Sequence, residues 1–183
     1  MEFIKVTDNE IYIKCRPLDW AKPAENITPS YMEATYTFKN GLVDVSCRFV
    51  DFYGYKSEST TQEMPAFYCI EPFNRFVYYG GNSPWTNDTN LSYENNLIFW
   101  PDAGYPKFNS TENWAAFIGE SDDSFGIGIY VPSEPEFLAG VYEREKTQNS
   151  DPSTDVPTSY IAAIEWLEFE SFVPVEYNYF IAT

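Results

Sequence analysis

The feature that most narrows the folds open to this chain is a two-residue alternation that reverses at an Asn-Gly pair. Within Tyr31–Tyr53, Met32, Ala34, Tyr36 and Phe38 share one face, Asn40-Gly41 follows, and Val43, Val45, Cys47 and Phe49 share a face on the return. Period two marks a strand with one buried face, and Asn-Gly suits a type I′ turn because both central residues take positive φ. The segment predicts a hairpin. A second is predicted where Asn113–Glu120 and Phe125–Val131 flank Ser121-Asp122-Asp123-Ser124. Further strands are expected at Phe3–Val6, Ile11–Arg16, Ala66–Ile70, Phe73–Tyr79, Asn96–Trp100, Ser159–Phe169 and Glu176–Ala182. No stretch keeps helical periodicity with caps over ~12 residues. The expected class is all-β, an antiparallel β-sandwich of supersandwich or jelly-roll-like form. With 183 residues, close to the ~150 of a common domain, a single domain over 1–183 is expected.

Composition then removes whole classes of function. A net charge of −17 repels phosphate backbones and anionic lipid surfaces, so neither nucleic acid nor membrane is an expected partner. With 44 % hydrophobic and 19 % aromatic residues the chain is no disordered acidic tail. Histidine is absent, which excludes Ser-His-Asp and Cys-His catalysis, His-ligated zinc and imidazole acid-base chemistry. Carboxylates, tyrosines and backbone must carry any chemistry. Cys15, Cys47 and Cys69 each sit in an apolar-periodic stretch, so buried free thiols are expected rather than a disulfide framework. Residues 1–14 contain no apolar run of signal-peptide length, and nothing later reaches transmembrane length. The last residues, Tyr179–Thr183, read as part of a strand. A domain excised from a larger protein is the expectation, with the other domains as partners and an extracellular or cell-surface location.

Candidate site residues come from aromatics placed outside strand centres. Gly80–Asn95 is rich in Gly, Asn, Ser and Thr yet carries Trp85 and Tyr93, and Trp100 precedes the turn sequence Pro101-Asp102-Ala103-Gly104. Aromatic planes beside Asp and Asn complement the CH faces and hydroxyls of sugars, so Trp85, Trp100 and Asp102 are ligand candidates. Trp20 and the pairs Tyr53/Tyr55 and Tyr78/Tyr79 add aromatic area, whereas Trp114 and Trp166, mid-strand, are expected in the core. In Phe125-Gly126-Ile127-Gly128-Ile129-Tyr130 both glycines fall on one face. Either a neighbouring ring packs there, or a groove floored by the glycines is walled by Tyr130. Glu63 and Glu112, each just before an apolar strand, are the weak candidates for a glycosidase pair, which needs carboxylates ~5–5.5 Å apart for retention or ~6.5–9.5 Å for inversion. No metal site is assigned, although Glu120-Ser121-Asp122-Asp123 and Asp151-Pro152-Ser153-Thr154-Asp155 could supply oxygen ligands to calcium. The segment Glu143–Thr158, with its charges and two prolines, reads as a solvated connector.

Gln62-Glu63-Met64-Pro65-Ala66-Phe67-Tyr68, the Gly80-Gly81 turn, Glu112-Asn113-Trp114-Ala115-Ala116-Phe117 and Phe125–Tyr130 together resemble β-sandwich modules of large bacterial carbohydrate-processing proteins. The second hairpin is similar to sandwich domains of galactose-mutarotase-like and polysaccharide-lyase proteins. The resemblance implies a sugar-related module, but mutarotases and many such lyases use histidine, so mutarotase chemistry is not carried over. The expected function is a non-catalytic carbohydrate-binding or accessory module of a larger enzyme, taking a neutral polysaccharide or oligosaccharide at Trp85, Trp100, Asp102 and Tyr130. The alternatives are a glycoside-processing domain using Glu63 and Glu112, and a purely structural sandwich.

Overall fold

A computed structural model describes residues 3–19, 26–54, 56, 59–70, 73–95, 97, 106–119, 124–142 and 158–183. None of these is helical. The strands are β1 (Phe3–Val6), β2 (Glu10–Cys15), β3 (Ser30–Lys39), β4 (Leu42–Asp51), β5 (Thr60–Ile70), β6 (Phe73–Tyr78) and β7 (Ser92–Glu94). They continue with β8 (Lys107–Asn109), β9 (Trp114–Gly119), β10 (Gly126–Tyr130), β11 (Glu136–Tyr142), β12 (Thr158–Leu167) and β13 (Val175–Ala182). The chain divides into two compact units, residues 1–62 with 166–180 and residues 63–165 with 181–183.

The first unit is a sheet in the order β1-β2-β3-β4-β13. Its centre is the expected hairpin: β3 and β4 pair antiparallel from Ser30↔Asp51 to Lys39↔Leu42. Asn40 and Gly41 both have positive φ, 25° and 85°, as a type I′ reversal requires. Val45 and Tyr179 are buried on one face, where Phe49 meets Phe169 edge to face at 5.7 Å. The opposite face carries Lys14, Glu33 and Arg48, linked as ion pairs.

The second unit is the antiparallel sandwich. One sheet runs β10-β9-β6-β7 and the other β5-β12-β11-β8. Phe76 on β6 reaches Phe108 on β8 at 4.8 Å and Phe117 on β9 at 5.4 Å. Phe76, Phe117, Ile129, Phe137 and Ile161 are fully buried there, and burial of five such side chains supplies the driving force, at roughly 1.5–3 kcal/mol each.

Three elements differ from expectation. β11, a core strand, shows no alternation because Phe137, Leu138, Ala139 and Val141 are all buried, so both faces are covered. β7 and β8 have three residues each, too few to show a period. Trp166 is 66 % exposed rather than in the core. It continues the buried row Tyr160, Ala162, Ile164, but stands beyond the last member of that cluster. The three cysteines are free, with Cys69 buried and Cys15 and Cys47 half-buried. Most of the expected Asn96–Trp100 strand and of the Glu143–Thr158 connector lies outside the described residues.

Candidate functional site

The site in the sandwich unit is set by strand register. β9 and β10 pair so that Trp114 faces Tyr130, Ala116 faces Gly128 and Ile118 faces Gly126. Alternation sends Ala115, Phe117 and Ile129 to the buried side and leaves Trp114, Ala116, Gly126, Gly128 and Tyr130 on the other. A Cβ at Gly128 would lie 2.6 Å from Ala116 Cβ and 2.7 Å from the Ala115 carbonyl oxygen, and one at Gly126 would lie 2.7 Å from Ile118 Cγ2. The glycines let the two strands carry a shallow floor. Above it is a pocket of about 340 Å³ lined by Trp85, Trp114, Gly126, Gly128, Tyr130 and the terminal Ala182 and Thr183. No ring packs on the glycines: Ala116, Ile118 and the backbone of β9 are what a Cβ would meet there, and Tyr130 lines the pocket beside them.

Trp85 comes from the loop that follows β6. Gly81 is required where the chain crosses Tyr79, since a Cβ there would sit 2.5 Å from the phenol ring. The buried Tyr79 hydroxyl donates to Asp88 Oδ2 at 2.8 Å and accepts from the Ser83 N–H at 3.2 Å. Burial, then the bond to Asp88, pushes that hydroxyl above its ordinary pKa. Thr111 Oγ1 donates to the Gly81 carbonyl at 2.7 Å, and Thr86 Oγ1 donates to the Ser83 carbonyl at 2.6 Å. Held at both stems, the loop projects Trp85, which is 65 % exposed and has φ of +61°. Left-handed backbone at a bulky residue persists only when its surroundings impose it.

Glu112 is what imposes it. Its Oε1 accepts the Trp85 backbone N–H at 2.7 Å, and its Oε2 accepts the Trp114 indole N–H at 2.7 Å. One carboxylate thereby fixes two walls of the pocket. Tyr130 completes them, its ring edge-on to Trp85 at 6.0 Å and 86°.

Of the expected ligand residues, Trp85 and Tyr130 come together here, while Trp100 and Asp102 lie outside the described residues, as does Trp20. Trp114, expected in the core, is half-buried and lines the pocket. Its mid-strand position pointed to a strand but not to which face. Glu63 accepts a hydrogen bond from the Tyr160 hydroxyl on β12, so it and Glu112 are engaged with different partners. The two acidic clusters considered for calcium fall on residues 120–123 and 151–155, outside the described set; among the described residues no group of three potential metal ligands occurs.

No protein-family model and no curated protein sequence matches the chain. Solved structures do. A proposed aldose 1-epimerase from Escherichia coli K12 superimposes with a TM-score of 0.56 at 8 % identity, covering 97 % of this chain and 66 % of the other. The protein HI1317 gives a TM-score of 0.51 at 11 % identity, covering 99 % and 63 %. A galactose mutarotase related enzyme from Lactobacillus acidophilus gives 0.46 at 10 % identity, covering 98 % and 70 %. The first two establish the fold, a β-sandwich of the kind found in an aldose epimerase, in agreement with the resemblance of the second hairpin. The chain spans just under two thirds of the length of those two proteins.

Proposed function

We propose that this chain is a non-catalytic carbohydrate-binding or accessory module that takes a neutral glycan in the pocket of Trp85, Trp114 and Tyr130. The observation that carries this reading is the combination of a small-residue floor with three aromatic walls, two of them held by one carboxylate. At about 340 Å³ the pocket is at the small end of the ~300–1,000 Å³ of ligand sites, which suits a sugar unit rather than a long chain. Neutral ligands follow from the net charge of −17, since uronates would meet repulsion. Binding rather than hydrolysis is favoured because both oxygens of Glu112 already accept N–H donors. Trp100 and Asp102 belong to the same proposal as further contacts, and sibling domains of a longer chain as its partners. The fold relationship to an aldose epimerase makes a sugar ligand coherent with the site.

Isothermal calorimetry with a panel of neutral oligosaccharides tests the reading. Trp85→Ala is expected to weaken binding about tenfold or more, as truncating an aromatic anchor does, while added salt changes it little. Absence of binding across the panel, or full affinity in Trp85→Ala, overturns it.

A further inference from the structure

The first unit carries a groove of its own, of about 320 Å³, on the polar face of β2, β3, β4 and β13. Two rows of side chains cross these strands. In the first row, Lys14 lies opposite Glu33 and Glu33 opposite Arg48. Lys14 Nζ is 3.3 Å from Glu33, Arg48 Nη1 is 3.4 Å from Glu33, and Arg48 Nε is 3.4 Å from Glu176. The second row sets Tyr12 opposite Thr35 and Thr35 opposite Ser46, with Asn178 on β13 also lining the groove.

The first row by itself has an ordinary explanation, because cross-strand opposite charges stabilise a sheet. The second row is also made of cross-strand pairs, and what sets it apart is that it lines the same groove as the charged row. It places small hydroxyls, Thr35 and Ser46, in the middle strands, with Tyr12 and Asn178 on the flanking strands. Every member can both donate and accept. The charged row is internally neutral, two cations against two carboxylates. It is also held in place: Arg48 Nη1 donates to the Tyr31 hydroxyl at 2.7 Å, and Lys14 Nζ stands 4.1 Å from the centre of the Tyr31 ring. The Arg48 side chain is 33 % exposed, so a ligand can reach it. Preorganised donors and acceptors of this kind lose little freedom on binding.

We infer that this groove is a second binding site, which takes the adjacent hydroxyls of a neutral saccharide by hydrogen bonding rather than by stacking. A pyranose hydroxyl donates and accepts at once, and the groove offers guanidinium N–H, carboxylate oxygen, hydroxyl and amide together. An anionic sugar would meet Glu33 and Glu176 as well as the acidic surface of the whole chain. The assignment does not depend on the aromatic pocket, and the two sites can be occupied or lost separately.

The test is an amide NMR titration of the full chain with neutral cello-, malto- and manno-tetraose, with an oligogalacturonate for comparison. Saturable shifts at Thr35, Ser46 and Asn178 with a neutral tetraose are expected, and they should survive in Trp85→Ala. Ser46→Trp, at an exposed strand position that accepts an aromatic ring, is expected to abolish them while leaving shifts around Trp85. Thr35→Val removes a hydroxyl at nearly constant volume and is expected to weaken binding here by about two- to tenfold, one hydrogen bond's worth, should the bulkier variant fail to fold. Shifts confined to the Trp85 pocket, shifts with oligogalacturonate alone, or undiminished groove shifts in both variants overturn the assignment. Groove shifts without pocket shifts would support it and overturn the aromatic site instead.

Discussion

Glu112 receives two N–H groups that belong to different elements, one from the loop backbone at Trp85 and one from the indole of Trp114. Hydrogen bonds to an ionised group contribute about 1.5–3 kcal/mol each, and a bulky residue at positive φ costs about 1–3 kcal/mol, so the bracket is what keeps Trp85 in place. Glu112→Ala is expected to lower stability by about 1–3 kcal/mol and to weaken glycan binding without any direct contact being lost. Glu112→Gln retains one carbonyl acceptor and should recover part of both effects. Urea unfolding and calorimetry on the two variants check this; wild-type affinity in Glu112→Ala would remove the positioning role. The same residues show what was legible beforehand. Trp85 and Tyr130 stood out because they sit in a polar loop and beside two glycines. The meaning of Glu112 depended on a partner 27 residues away, Trp85, which no local pattern reveals.

Among the elements, the β3–β4 hairpin was legible because its turn chemistry and its alternation agree. The core strand β11 was not, because a strand covered on both faces loses its period and Phe137–Val141 reads only as an apolar run. Trp114 and Trp166 went astray for a related reason: alternation names two faces but not the one that is covered, nor where along the strand the cover ends. The turn itself offers a separable measurement. Gly41 has φ of +85° and nothing within 4 Å of where a Cβ would stand, so Gly41→Ala tests backbone strain alone. A loss of about 1–2 kcal/mol is expected, read as a lower urea midpoint with an unchanged slope. Gly128→Ala, whose Cβ would meet Ala116 and the Ala115 carbonyl, should cost more. Equal costs at the two positions would mean that close strand approach does not matter.

For the molecule as a whole, acid is expected to stabilise and alkali to destabilise. Burial pushes Glu134 and Glu165 above the ordinary carboxylate pKa of 4.5. It pushes the Cys69 thiol up to about 12, and raises the Tyr160, Tyr177 and Tyr179 hydroxyls. In each case the folded chain holds its proton more tightly than the unfolded chain does. That contribution is complete below the unfolded pKa and is lost as pH rises through the folded one. The two carboxylates therefore act from 4.5 upward, and the thiol and phenols from 9.0 and 10.0 upward. Self-repulsion of the acidic surface has the same sign, because the net charge of −17 at pH 7 shrinks on acidification. Thermal melting should be higher near about pH 5 than near about pH 8, with salt raising the latter by screening. A melting temperature that climbs from the first pH to the second would contradict this.

The loop that carries Trp85 is fastened at its stems, by Tyr79 to Ser83 and Asp88 and by Thr111 to Gly81, while the ring that faces the pocket stands at the tip. The fastening falls to stem side chains and to the Trp85 backbone N–H, and the Trp85 ring is left to face the pocket. Under the proposed reading, exchange of that one side chain leaves the anchors in place, so ligand preference is free to drift between descendants at little expense to folding.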